Sequence, residues 1–151
     1  AMCLFAPYVN SYRRLVPGRA APINVEWGLD NRSAGLRIPV SGPVARRVEN
    51  RLPGSDSNPY LAIAASLACG YLGIKNKLEP RAAIVGNAYR NDHQLPRGLL
   101  EALLEFEDSK DLHKVLGDRF SHVYLEMKRS EFEEFMRVIS PWEREHLLLS
   151  V

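Results

Sequence analysis

The spacing of apolar and polar positions changes character near residue 58. Before it, short runs alternate with period two. After it, apolar residues recur every three or four positions. Ile23-Asn24-Val25-Glu26-Trp27 alternates and is rich in β-formers, which predicts a strand. Gly35 to Val40 predicts a second, with Pro39 confining it to an edge or a strand end. Arg46 to Arg51 predicts a third. Leu29-Asp30-Asn31-Arg32-Ser33 carries turn chemistry, Ser41-Gly42-Pro43 reads as a loop, and Pro53 to Ser57 breaks the chain. Met2 to Tyr8 shows no cap and no opening element.

The second half reads as helices. Asn58 suits an N-cap and Pro59 the first helical position, opening a helix to about Lys75. Its residues are small and apolar all round (Ala62, Ala64, Ala65, Ala68), which predicts a central buried helix. Residues 76–95 lack periodicity, and so long a connection is expected to be functional or mobile. Pro96 to Phe106 carries Leu99, Leu100, Leu103 and Leu104 on one side. Lys110 to Leu116 follows, with Ser109 as N-cap and Gly117 as terminator. Arg119 to Ile139 has an apolar stripe of Phe120, Tyr124, Met127, Phe135 and Val138, and Ser140-Pro141 restarts a last helix through Trp142 and Leu149. The expected class is α+β: one domain over residues 1–151, with a small antiparallel sheet in 1–57 and a helical part in 58–151. Three strands leave one sheet face uncovered, which predicts a piece of something larger.

Composition narrows the partners. The chain has 151 residues, 46% hydrophobic and 25% charged, as in ordinary globular domains. Twenty basic against eighteen acidic side chains give a formal charge of +2, too little to argue for nucleic acid or anionic lipid. Arginine is concentrated before residue 60, where Glu26, Asp30, Glu49 and Asp56 are the only carboxylates, so a local anion site is expected. The apolar run Leu61 to Ile74 is too short to span a membrane. Cys3 and Cys69 suggest no disulfide framework. With Cys69 expected to be a buried thiol, a reducing, cytoplasmic setting follows. His93, His113, His122 and His146 lack zinc spacing and are expected at the surface or at caps, and Tyr60 and Tyr89 as packing or loop residues.

The candidate chemistry lies in Arg14, Arg32, Arg37, Arg47, Glu49 and Arg51. In Arg47-Val48-Glu49-Asn50-Arg51, period two places the three charges on one face, in a row about 13 Å long. Such a row suits phosphates, a metal and a carboxylate. The bland alternative is a solvated strand face with ordinary ion pairs.

Four segments in register resemble the C-terminal part of glutamine synthetases: Asn10 to Gly18, Asn31 to Pro39, Arg46 to Arg51, and Asn58 to Leu61. The likeness extends weakly to Trp142-Glu143 and implies the C-terminal portion of that family's catalytic domain. The family joins a glutamate γ-carboxylate to an amine at the expense of ATP, through γ-glutamyl phosphate. The resemblance implies Arg32 and Arg37 as catalytic residues near the transferring phosphoryl group. It implies Arg14 and Arg51 as grips on substrate carboxylates, Arg47 as a nucleotide contact, and Glu49 as a ligand of Mg²⁺ or Mn²⁺. It also implies a homo-oligomeric ring for the parent; this piece alone is expected to be inactive, and a monomer or weak dimer.

Two departures from the family pattern bear on the substrate. Ala20 stands where glutamine synthetases carry a loop glutamate that takes a proton from ammonium. This favours relatives that attach a larger amine, such as γ-glutamylpolyamine synthetase, as does the run Glu26 to Arg32. The implied acceptor is ammonia or a larger amine such as a polyamine. The loop Ser41 to Val44 is one residue short and has Val44 in place of a lysine near the nucleotide. The competing reading is a non-catalytic relative kept for structure or sensing.

Overall fold

A computed structural model describes residues 1–148. In chain order the elements are α1 (Met2–Phe5), a 3₁₀ turn (Val9–Arg14), β1 (Trp27–Leu29), β2 (Leu36–Ile38), a 3₁₀ turn (Pro43–Ala45), β3 (Glu49–Asn50), α2 (Pro59–Lys75), a 3₁₀ turn (Ala88–Arg90), α3 (Leu99–Asp108), α4 (Lys110–Leu116), α5 (Asp118–Met136) and α6 (Pro141–Leu147). The class is α+β, as expected. Leu149, assigned above to the last helix, lies outside the described residues.

β2 and β3 are shorter than the alternation suggests. β1 begins at Trp27, where the strand expected over residues 23–27 ends, and runs on to Leu29. The sheet is mixed rather than antiparallel. β2 pairs antiparallel with β3, but β1 runs parallel to β2, with Gly28 opposite Arg37. Parallel neighbours usually need a crossover of a dozen residues or more. Here residues 30–35 suffice because each strand is only three residues long. Asp30 takes φ of 48°, a conformation that Asp tolerates, and Asn31 Oδ1 accepts from the Ser33 amide at 2.9 Å. Gly35 lets β2 close up: a Cβ there would lie 2.5 Å from the Asn24 carbonyl oxygen.

The core is helical and gathers around α1, the segment that the sequence left without structure. Its four residues are too few to show a period, yet all are buried and pack against α2 and α3. Tyr124 of α5 donates its hydroxyl to the Cys3 carbonyl at 2.7 Å. Phe106, Leu99 and Leu103 of α3 complete the interior. Leu100 and Leu104 face outward instead, because the buried stripe of α3 follows Leu99, Ala102, Leu103 and Phe106.

α2 corrects two expectations. It begins as predicted, with Asn58 Oδ1 accepting from the amides of Tyr60 and Leu61. It is not buried all round, however: Ala62, Ala65 and Ala68 face the core, while Tyr60, Ile63, Leu67, Tyr71 and Ile74 are exposed. This chain supplies neighbours only on the alanine side. Cys69 is exposed for the same reason. On α5, Tyr124 is core, whereas Met127 and Phe135 are exposed, as is Val138, which lies beyond the helix end at Met136; the buried line is Ser121, Tyr124, Leu125 and Lys128.

The connection 76–95 is pinned rather than loose. The Ile84 amide donates to Trp27 O at 2.8 Å, the Ala88 amide to Ser33 Oγ at 2.8 Å, and the Gln94 amide to Ile23 O at 2.9 Å. It therefore runs along the outer edge of β1 and holds the turn that carries Asp30 to Ser33.

Candidate active site

The charged row is built by the β2–β3 ladder. Period two sends Leu36, Val48, Asn50 and Leu52 towards an apolar cavity of about 730 Å³ beside α2. It sends Arg37, Glu49 and Arg51 to the opposite face. In the antiparallel register Arg37 stands directly across from Glu49, so the third charge comes from the neighbouring strand. Arg37 Nη1 donates to Glu49 Oε2 at 2.7 Å, and Arg51 Nη1 donates to Oε1 at 3.3 Å. The row is Arg37–Glu49–Arg51. Arg47 lies outside the strand, and its guanidinium donates to its own loop, to Ala45 O at 3.0 Å.

The row extends at both ends. Asp30 Oδ1 accepts from Arg37 Nε at 3.0 Å and also from Nη2. At the other end Arg51 Nη2 donates to the carbonyl of Ala20 at 2.8 Å, where Ala20 holds φ of 55°. Side chains of Arg37 and Arg51 are 18% and 16% exposed, against 37% for Glu49, so the guanidinium groups are mostly covered while their shared carboxylate faces outward. The Arg37 hydrogen bond, helped by Arg51, holds the Glu49 carboxyl below its ordinary range. The bond to Asp30, then that to Glu49, pushes Arg37 up.

Arg14 and Arg32 stand apart from these contacts. Arg14 leaves the 3₁₀ turn Val9–Arg14, which is tightened by the Tyr8 amide donating to Ser11 Oγ at 3.0 Å. Its Nη2 donates to Leu52 O, its Nε has no partner among the described residues, and burial pulls its pKa down. Ser11 donates to Asp56 at 2.5 Å beside it. Arg32 projects from the pinned turn, lining a recess of about 360 Å³ with Asp30 and residues 83–86. Asp30 and the Ala20 carbonyl had no assigned role in the sequence. Asp30 showed only turn chemistry, and a backbone carbonyl leaves no signal in residue identity.

Two of the histidines make structural contacts. His113 Nε2 lies 2.8 Å from Phe106 O, with the two rings edge to face, and His93 Nε2 lies 3.1 Å from Leu15 O. Tyr89 packs, donating to Ala21 O at 3.1 Å, while Tyr60 is exposed. Among the described residues no three His, Cys, Asp or Glu side chains gather as a metal site. Both oxygens of Glu49 are engaged by arginine, and one carboxylate is far short of the six oxygens that Mg²⁺ takes. The residues present do not complete a metal centre.

Residues 1–147 match the family described as "Glutamine synthetase, catalytic domain". The chain is 43% identical over 150 residues to "Type-1 glutamine synthetase 2" of Dictyostelium discoideum, covering 95% of this chain and 29% of that protein. It is 40% identical over 144 residues to a "Glutamate--isopropylamine ligase" of Pseudomonas sp, covering 93% and 31%. Against "Gamma-glutamylputrescine synthetase PuuA" of Escherichia coli K12 it is 40% identical over 149 residues, covering 98% and 32%. The solved structure "Apo GmaS without ligand" superposes with TM-score 0.85 at 34% identity, over 97% of this chain and 34% of that one; a "GmaS/ADP complex" also gives 0.85, at 33% identity, over 97% and 36%. The chain thus spans about a third of the length of these relatives.

Proposed function

Because the chain belongs to the glutamine synthetase family, with 147 of its residues matching the catalytic domain, we propose that it forms one wall of the active site of an ATP-dependent glutamate–amine ligase. The carrying observation is the row Arg37–Glu49–Arg51, flanked by Asp30 and the Ala20 carbonyl. A glutamate γ-carboxylate oxygen attacks the γ-phosphorus of ATP, releasing ADP and leaving γ-glutamyl phosphate. The amine nitrogen then attacks the acyl carbon, phosphate departs, and the nitrogen loses a proton. Arg32 and Arg37 meet the charge that develops on the phosphoryl oxygens, where fixed guanidinium donors are effective. Arg14 and Arg51 grip substrate carboxylates through the planar fork that lysine lacks. Arg47, exposed beside the row, meets nucleotide phosphates. Glu49 would supply one carboxylate ligand to a divalent ion, which would offset the charge of the phosphates.

The acceptor is an amine larger than ammonia. Ala20 has no group to accept a proton, and the loop position is spent on a backbone bond to Arg51. ADP release by the full-length protein, measured with glutamate and either ammonia, isopropylamine or putrescine, tests both statements. Preference for ammonia overturns the acceptor; absence of glutamate-dependent turnover with every amine overturns the ligase and favours a structural or sensing role.

A further inference from the structure

Asp30 is the group in the row with no part in the reaction described above, and its geometry is specific. One oxygen, Oδ1, takes both Nε–H and Nη2–H of Arg37. That leaves Nη1 as the edge presented to Glu49. The turn that carries Asp30 is held from several sides. The Asp30 amide donates to Ile38 O at 2.9 Å, Asn31 Nδ2 donates to Gly86 O at 2.8 Å, and the Ala88 amide donates to Ser33 Oγ at 2.8 Å. The turn is therefore fixed to β2 on one side and to the 76–95 connection on the other. Glu49 carries two arginines, so a ligand that draws it away would leave Arg37 free to swing if nothing else held the guanidinium.

We propose that Asp30 is a positioning residue for Arg37: it fixes the guanidinium plane from the rear so that the Nη1 edge stays aimed at the reacting phosphoryl group whatever Glu49 is bound to. This rests on the ligase reading. A guanidinium aimed at charge present only during transfer raises kcat rather than ground-state affinity. The opposite role, a carboxylate that merely weakens the positive wall, makes the opposite prediction, since its removal would tighten the binding of phosphate-bearing substrate.

Asp30→Gly separates the two. Glycine adopts a φ of 48° without strain and carries no side-chain acceptor for Arg37, and the Asp30 side chain is 57% exposed, so the backbone and the fold are retained. In the full-length ligase the variant is expected to lose about 10- to 100-fold in kcat, with KM for ATP and glutamate within about twofold. Unchanged kcat, or a lower KM for ATP, would overturn the proposal. A second readout needs no turnover. In the ¹⁵N spectrum of this chain, the Nε–H signal of Arg37, assigned by its loss in Arg37→Lys, is expected to be resolved and protected from exchange in the wild type. In Asp30→Gly it should merge with the solvent-exposed arginines. The same signal in both proteins would overturn the clamp. A wild-type protein without ligase turnover would instead refute the proposed function, leaving the spectrum to decide the clamp alone.

Discussion

Glu49 accepts from two guanidinium groups, and its protonation state should be visible in stability. Its folded pKa lies below the ordinary 4.5 because the Arg37 hydrogen bond favours the charged form. A depressed carboxyl contributes stability above its unfolded pKa and loses it as pH falls through the folded value. The difference in melting temperature between wild type and Glu49→Gln should hold from pH 7 to about 4.5 and close below that. A gap independent of pH would contradict it. The thiols give a second check. Burial pushes Cys3 up to about 11, while Cys69 is exposed, so a thiol reagent at pH 8 should modify one cysteine in the native chain and two in denaturant. The period of two correctly placed Glu49 and Arg51 on one face. It could not supply Arg37 as their companion, because that residue reaches the row across a ladder that local sequence does not encode. Nor could it show that Arg47 falls just before pairing begins.

Elements announced by local chemistry were legible. Asn58-Pro59 opened α2 at the right residue, and Ser140-Pro141 opened α6, where the structure adds a capping box between Ser140 and Glu143. Asn58→Ala should cost about 1 kcal/mol in urea unfolding, since two amides lose their acceptor. What escaped were elements fixed by tertiary contact. α1 is four residues long and helical because it is enclosed by α2 and α3. The parallel β1–β2 pair depends on a tight turn and on Gly35 touching the Asn24 carbonyl, neither visible as periodicity. Gly35→Ala should therefore lower stability by about 1–3 kcal/mol, which the same unfolding experiment would measure. Long aperiodic segments suggested mobility, but 76–95 is tied to β1, to Ser33 and to Ile23 by backbone groups whose partners the sequence does not reveal.

At the scale of the molecule, two sides are finished to different degrees. The helical core is closed, whereas Tyr60, Ile63, Leu67, Tyr71 and Ile74 form an exposed apolar line along α2, beside a cavity of about 730 Å³. The all-round apolar composition of that helix predicts burial, whereas this chain packs against only its alanine side. No helix among the described residues is long and apolar enough to cross a membrane. The relatives are about three times longer, and on the proposed reading the row of charges is one wall of a site. The chain by itself is therefore expected to form no amide from ATP, glutamate and an amine.

The proposed function has arginines and a carboxylate from neighbouring strands acting together on one transferring phosphoryl group. It is tested by glutamate-dependent ATP turnover of the full-length protein, measured for Arg37→Ala and Glu49→Gln with exposed Arg119→Ala on α5 as a control. The first two should fall about 100-fold or more in kcat while the control stays at the wild-type rate. Wild-type turnover in either Arg37→Ala or Glu49→Gln would show that the row is a surface ion-pair network and not the wall of an active site.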